Sequence, residues 1–420
     1  MKSYFRVTLF TISFLIVCFS CSSQPRMPAT HEIEPGAYHL PAYFHELKGK
    51  RFALVVNQTS TINDVHLVDT LRSLIKDNST IFPPNQPTTN HDIHIDDSTM
   101  ITKVFAPEHG FRGQADAGEK VKDGIDSKTG LPIVSLYGNN KKPTPEQLED
   151  IDVVVFDIQD VGTRFYTYIS TMHYIMEACA ELGKKVIILD RPNPNGMYVD
   201  GPILEPEYKS FVGMHPIPIL HGLTVGELAL MINGEGWLAK GIKCDLKVIP
   251  VKNYSHSMTY SLPVKPSPNL PSDLSIGLYP SLCLFEGTDI SVGRGTMKPF
   301  QQIGHPSFSH MSYYFIPKSI EGMSKHPKHE GKSCFGIEFD ESNGLSGLSL
   351  KYLIEYYSMF KEKDKFFISY FNTLAGTDKL QQQIKDGLSE EEIKATWKPS
   401  LGAYKTIRKK YLLYPDFEKP

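Results

Sequence analysis

Between Ile151 and Ile158 the chain reads Ile-Asp-Val-Val-Val-Phe-Asp-Ile, with Val153, Val154, Val155 and Phe156 forming an unbroken apolar run. Successive side chains of a strand point to opposite faces, so this segment has no face to turn toward water. A strand buried on both faces requires a sheet covered on both sides, which is the situation of parallel sheets in α/β proteins. The flanking sequence repeats the pattern. Phe52–Val56, the run from Ile101, Pro132–Tyr137 and Lys185–Leu189 read as further strands. Helical spacing is expected over Val65–Ile75, Thr144–Asp150, whose Thr-Pro-Glu opening suits a helix start, and Tyr168–Leu182.

In an open parallel sheet ligands bind outside the carboxyl ends of the strands. The polar residues of this chain gather there: Asn57 and Gln58, Glu108 and His109, Asp157 to Arg164, Asp190 and Arg191. The chain changes character near Ile249, where Pro263, Pro266, Pro268 and Pro271 crowd a segment running to Pro280. A domain connection is expected there. Beyond it Leu282–Val292 reads as strand and turn, Ser333–Phe339 as a strand, and Leu350–Lys361, Asp378–Gly387 and Glu390–Trp397 as helices. The expected fold class is α/β: a Rossmann-like parallel sheet domain over 33–248, then a smaller α+β domain over 249–420 that completes a cleft. A chain of 420 residues exceeds the size at which one core keeps growing.

Residues 1–21 carry Lys2 and Arg6, an apolar core from Val7 to Val17, and Cys18-Phe19-Ser20-Cys21. This is the pattern of a secretory signal peptide, too short and wrongly flanked for a spanning helix. Cys21 after a small residue points to lipid attachment, although Cys18 stands where a lipoprotein signal usually has leucine. The expected location is the periplasm, membrane-anchored as a lipoprotein through Cys21, or secreted. Loss of residues 1–21 removes Lys2 and Arg6 and moves the formal charge from -3 to -5, a balance that does not suggest nucleic acid, which normally demands a basic face. Cys179, Cys244, Cys283 and Cys334 have neither zinc-site nor disulfide-scaffold spacing, and Cys179 fits a helix interior.

Three segments carry chemistry. Pro107-Glu108-His109-Gly110-Phe111-Arg112-Gly113 delivers a carboxylate, an imidazole and a guanidinium at one strand end, where they tune one another's proton affinity; a solvated turn has the same composition. Asp157-Ile-Gln-Asp160-Val-Gly-Thr-Arg164-Phe-Tyr166-Thr-Tyr168 places phenols beside an arginine, a platform for a sugar with an anionic substituent. Its structural alternative is a helix cap by Asp160 or Thr163 with Arg164 paired to it. Phe285-Glu286-Gly-Thr-Asp-Ile-Ser-Val-Gly-Arg294-Gly-Thr allows close backbone approach to a ligand, and equally an ordinary hairpin. His215, His221 and His305, each next to proline or glycine, are by themselves structural residues.

The G-x-G-x-x-G fingerprint, the P-loop lysine motif and the Gly-x-Ser-x-Gly elbow do not occur at these strand ends, so neither a nucleotide cofactor nor a serine nucleophile is expected. His91, His94 and Asp96 have metal-ligand types but lie in a polar loop from Asp77 to Ser98, and no metal site is assigned.

These three segments, with Asp190-Arg-Pro-Asn-Pro194 between the second and the third, resemble the NamZ-type exo-β-N-acetylmuramidases, a YbbC-like family, from about Arg51 onward. The resemblance implies a cofactor-free glycosidase that removes N-acetylmuramic acid from the non-reducing end of peptidoglycan fragments, with its cleft between the two domains. Carried onto this sequence, it makes Glu108 the catalytic acid/base beside His109, with Asp157, Asp160 and Glu286 open as the second carboxylate. The 2-acetamido oxygen of the substrate is the alternative to a second carboxylate. Arg164 and Arg294 are candidates for the lactyl carboxylate, Tyr166 and Tyr168 for the sugar ring, and Asn57, Arg112 and Glu286 complete the expected binding set. The competing reading is a non-catalytic periplasmic lipoprotein that binds muropeptides or cell-wall glycan. A serine- or metal-dependent esterase lacks its motifs.

Overall fold

The computed structural model describes residues 32–77, 98–112 and 123–418. The proposed signal segment, Cys21, Gly113 and the His91/His94/Asp96 group lie outside the described residues. Twelve strands are described in chain order: β1 (Arg51–Val56), β2 (Thr61–Ile62), β3 (Val65–His66), β4 (Met100–Ala106), β5 (Gly124–Ile125), β6 (Pro132–Ser135), β7 (Val153–Asp157), β8 (Lys185–Leu189), β9 (Asp245–Ile249), β10 (Gln302–His305), β11 (Tyr313–Phe315) and β12 (Cys334–Glu338).

Seven of them form one sheet in the order β5-β6-β4-β1-β7-β8-β9. Every pairing is parallel except β5 with β6. Leaving out the edge strand β5, the chain steps from β1 outward through β4 to β6, returns to the other side of β1 at β7, and continues to β9. That is the doubly wound Rossmann order, with its switch point between β1 and β7.

The apolar run predicted at 153–156 is buried along its whole length. The period-two alternation divides the sheet's side chains between two cores. Ala53, Val55, Phe105, Val154, Phe156, Val186 and Ile188 enter one core with the helices Tyr168–Glu181 and Val225–Gly234. Phe52, Leu54, Val56, Val104, Val153, Val155, Ile187 and Leu189 enter the other with Leu40–Leu47 and Leu67–Asp77. The first core continues without a break into the carboxyl-terminal half through Tyr279, Phe285, Phe300, Tyr356 and Trp397. From Ile33 onward the chain is one compact unit.

Several elements differ from expectation. The helix expected from Val65 begins at Leu67, because Thr61–Ile62 and Val65–His66 first close a hairpin around Asn63, which adopts φ 51°. Leu282–Val292 is not strand and turn. Ser272 caps a helix over Asp273–Leu282 with a reciprocal Ser275 bond, and the chain continues as a 3-10 turn, Cys283–Gly287. The last long helix runs through Pro399 to Arg408. Cys179, Cys244, Cys283 and Cys334 are free and buried. Among the described residues no helix is long and apolar enough to cross a membrane.

Candidate active site

β4 ends at Ala106 because Pro107 has no N–H to continue the ladder. The chain turns with Gly110 N–H donating to Pro107 O at 3.0 Å, and His109 and Gly110 both take left-handed conformations, φ 67° and 79°. A histidine held in that region is unusual and is overdetermined by its burial. The turn lifts Glu108 above the sheet edge.

Neighbouring strand exits then hold the Glu108 carboxylate. Ala106 is in register with Ser135, so the residues two further on, Glu108 and Tyr137, emerge side by side. The Tyr137 hydroxyl donates to Glu108 Oε1 at 3.0 Å. Thr167, at the start of the helix following β7, donates through Oγ1 to Glu108 Oε2, also at 3.0 Å. Behind them the Tyr168 hydroxyl reaches the Glu108 carbonyl at 3.4 Å. Burial first, and the Glu108 charge second, push the Tyr137 phenol well up, so it remains a donor. Neither Tyr137 nor Thr167 is among the residues that the sequence reading singles out for a role; the signal available was that each directly follows or borders a buried strand or helix end.

Glu108 and His109 line a pocket that is open to solvent. Its apolar walls include Phe165, Tyr166, Tyr279, Phe300 and Tyr370, and the proline-rich segment supplies Ser267, Asn269 and Leu270. That segment is anchored to the strand exits: Tyr166 donates its hydroxyl to Pro266 O at 2.8 Å, and Gln58 Nε2 donates to Lys265 O and Pro266 O at 3.1 Å each. Asn269 Nδ2 donates to Met323 O, while its buried Oδ1 has no hydrogen-bond partner among the described residues.

The carboxyl-terminal half brings Glu286 and Arg294 to the same pocket. Arg294 donates from Nε and Nη2 to the two Glu286 oxygens at 2.5 and 3.1 Å, and its guanidinium lies 5.0 Å from the centre of the Phe300 ring. Burial alone would lower this guanidinium's pKa; the Glu286 carboxylate outweighs it and raises it, so the arginine is a permanent cation.

The other predicted residues are placed elsewhere. Asp157 is fully buried and gripped by Arg191, Nε–Oδ1 2.6 Å and Nη2–Oδ2 2.9 Å. Arg112 is spent on Asp126, at 2.9 and 2.8 Å, and on Asp69 at 3.4 Å. Asn57 is buried, its Oδ1 accepting the Thr59 N–H and hydroxyl. Asp160 accepts the Gly162 N–H at 2.7 Å, and burial pushes its carboxyl up to about 7. His221 Nε2 lies 3.9 Å from it, but burial lowers that imidazole to about 3, so the two do not form an ion pair at neutral pH.

Arg164 is wholly buried and donates to four carbonyls: Pro202 O at 2.7, Ile217 O at 2.8, Leu374 O at 3.1 and Ala375 O at 2.6 Å. The last two end the helix Tyr370–Ala375, where a cation suits the helix dipole. Arg164 therefore fixes the pocket wall that carries Tyr370 and Leu374 from behind, and its guanidinium is not presented to the pocket. Tyr168 likewise supports Tyr166, edge to face at 5.0 Å, from outside the lining. Of the predicted residues, Glu108, His109, Tyr166, Glu286 and Arg294 come together in the pocket; Asn57, Arg112, Asp157, Asp160, Arg164 and Tyr168 do not line it.

Known proteins resemble this chain in fold and in sequence. A curated relative, the peptidoglycan beta-N-acetylmuramidase NamZ of Bacillus subtilis (strain 168), is 41% identical over 397 residues, covering 89% of each chain. Two crystal structures of DUF1343 family proteins from Bacteroides fragilis NCTC 9343 superpose on the chain. One has a TM-score of 0.80 at 46% identity, covering 92% of this chain and 100% of the other. The second has a TM-score of 0.72 at 28% identity, covering 91% and 99%. Residues 52–274 match the amino-terminal, and residues 277–414 the carboxyl-terminal, family model of exo-beta-N-acetylmuramidase NamZ. Matched in both halves, the chain belongs to the NamZ exo-β-N-acetylmuramidase family.

Proposed function

We propose that this protein is an exo-acting glycoside hydrolase that releases N-acetylmuramic acid from the non-reducing end of peptidoglycan fragments, with Glu108 as its catalytic carboxylate. The observation that carries the reading is the Glu108 side chain, whose two oxygens are aimed by Tyr137 and Thr167 at the wall of a pocket that also contains Arg294. Glycosidic cleavage needs a carboxyl group held in a fixed direction toward the leaving oxygen, and a pair of hydroxyl donors supplies that direction. The strong likeness to a curated muramidase supports the class of substrate.

Glu286 is the second carboxylate among the pocket-lining residues described, and its pairing with Arg294 holds it in place for charge stabilisation or nucleophilic attack. Arg294 uses Nε and Nη2 on Glu286, which leaves Nη1 for the lactyl carboxylate that distinguishes muramic acid from glucosamine. Tyr166 and Tyr370 offer ring faces and edges to the sugar. The organisation supporting this reading is an amino-terminal domain over 33–248 that carries Glu108 and a carboxyl-terminal domain over 249–420 that brings Glu286 and Arg294. The leader-like pattern of residues 1–21 and Cys21 supports a periplasmic, lipid-anchored or secreted location, where the polymer is found.

The test is chromophore release from para-nitrophenyl N-acetylmuramic acid, with the N-acetylglucosamine analogue in parallel. Release is expected from the muramic compound, and Glu108→Gln is expected to cut turnover by roughly 10²–10⁴-fold with the fold intact by circular dichroism. Near-normal turnover in the variant would remove Glu108 from the mechanism. Binding of a muramic disaccharide without release by the wild type would replace the hydrolase with a saccharide-binding protein.

A further inference from the structure

Three side chains that do not line the pocket converge in the carboxyl-terminal half. Asp289 follows the turn that carries Glu286, His305 ends β10, and His329 lies in the segment packed against both. One ligand atom from each falls within 4.8 Å of the other two. His305 Nε2 is 3.1 Å from Asp289 Oδ2 and His329 Nε2 is 3.6 Å from Asp289 Oδ1. The imidazoles meet edge to face with their centres 4.7 Å apart. Around a tetrahedral ion with ligands at roughly 2.0–2.2 Å, neighbouring ligand atoms stand about 3.3–3.6 Å apart. The two histidine–carboxylate distances are near that spacing, and the full set needs a contraction from within 4.8 Å.

We propose that Asp289, His305 and His329 form a binding site for one divalent ion of the zinc class. Two imidazoles with one carboxylate suit zinc and its borderline neighbours, whereas calcium and magnesium take oxygen ligands. The histidines are largely buried and Asp289 is 39% exposed, so the site has rigid walls and one open side for water or an anion. The His305 ring is held by edge contacts to Phe360 and Phe308 at 4.9 and 5.7 Å. Its Nδ1 stands 2.7 Å from Ser307 Oγ, the outer partner that a metal-bound imidazole uses to orient its ring. His329 is set in a left-handed backbone conformation, φ 58°.

Without metal, the Ser307 N–H points at His305 Nδ1, which leaves the His305 hydrogen on Nε2 facing Asp289. His329 Nε2 faces the Asp289 carbonyl at 2.6 Å. Loading therefore requires each imidazole to change tautomer: its hydrogen passes through solvent from Nε2 to Nδ1, freeing the Nε2 lone pair for the ion. At His305 this gives up the Ser307 N–H bond and lets Nδ1–H donate to Ser307 Oγ. Lys328, whose ammonium bonds the Thr288 and Ile290 carbonyls on either side of Asp289, opposes a second cation. The open position then takes a hydroxide or other anion as fourth ligand. The ion would pin three segments together, since Asp289 and His329 are 40 residues apart in sequence.

The test uses the full chain, stripped with chelator, dialysed, and titrated with zinc and separately with cobalt(II). One equivalent of zinc is expected to bind and raise the melting temperature, and cobalt is expected to give the intense visible bands of tetrahedral coordination. His305→Gln and His329→Gln are each expected to weaken binding by at least about 10–100-fold, the loss that removing even an outer hydrogen-bond partner causes. His329→Gln alters the less enclosed side and serves if His305→Gln fails to fold, with folding checked by circular dichroism. Absence of stoichiometric binding, or binding that survives in a folded variant, overturns the proposal; the second result would place the ion on other histidines of the chain.

Discussion

Replacing Asp160 with asparagine is expected to make the protein more stable at neutral and alkaline pH. Asp160 sits in the loop leaving β7, its Oδ2 accepting the Gly162 N–H while its Oδ1 has no hydrogen-bond partner among the described residues. Burial raises its pKa from 3.8 to about 7, and the nearby His221, lowered to about 3, provides no compensating charge. In the unfolded chain the carboxyl gives up its proton near the ordinary value, while the folded chain retains it to about 7. Between those two values the folded state binds more protons, so stability falls as pH rises and then stays at its reduced level above the folded value. A gap of roughly 3 pH units at about 1.4 kcal/mol each gives an upper bound near 4 kcal/mol. Asparagine keeps the acceptor for Gly162 and carries no charge, so at pH 8 the variant should gain about 1–4 kcal/mol. Urea unfolding of both proteins followed by circular dichroism at pH 5, 6, 7 and 8 reads it directly. The difference should grow through this range and level off above about 7. A variant less stable than wild type at pH 8, or a difference that does not change with pH, refutes the reasoning.

Arg164→Met strips the donor from the Pro202, Leu374 and Ala375 carbonyls while relieving a buried cation with no carboxylate partner; the expected net loss is about 2–5 kcal/mol in urea unfolding, and a loss under about 0.5 kcal/mol would contradict the clamp. Arg164→Lys should recover little, since an ammonium has three donors and no planar fork. Arg294→Ala should raise KM for a muramic substrate far more than for its glucosamine analogue, and equal changes on both would detach Arg294 from the lactyl group.

The sheet was legible because its central strands are apolar on both faces, as Val153–Phe156 is along its whole length. Edge strand β9 was not, because three of its five residues are only half-buried and carry no clear alternation. At the site, Glu108 and His109 were legible as the polar exit of a buried strand. Arg164 was misleading for a physical reason: the same guanidinium that fits a carboxylate also satisfies several backbone carbonyls, and sequence spacing does not distinguish those partners. Asp157 and Arg112 likewise found protein partners, Arg191 and Asp126, whose positions depend on the tertiary fold. Tyr137 escaped notice because its role arises from the register between β4 and β6.

The exit of β8 is finished by residues more than two hundred positions away. Tyr414 donates its hydroxyl to Asp190 Oδ2 at 2.5 Å, Leu413 N–H donates to Glu227 Oε1 at 2.8 Å, and Arg408 bridges the Gly222 carbonyl and Asp416. A ribosome that has made the whole parallel sheet has therefore delivered the Thr224 and Gly226 donors to these carboxylates but not those of Leu413 and Tyr414. During synthesis Asp190 and Glu227 keep these local partners, and the remaining hydrogen bonds to them close only when residues 408–416 have emerged.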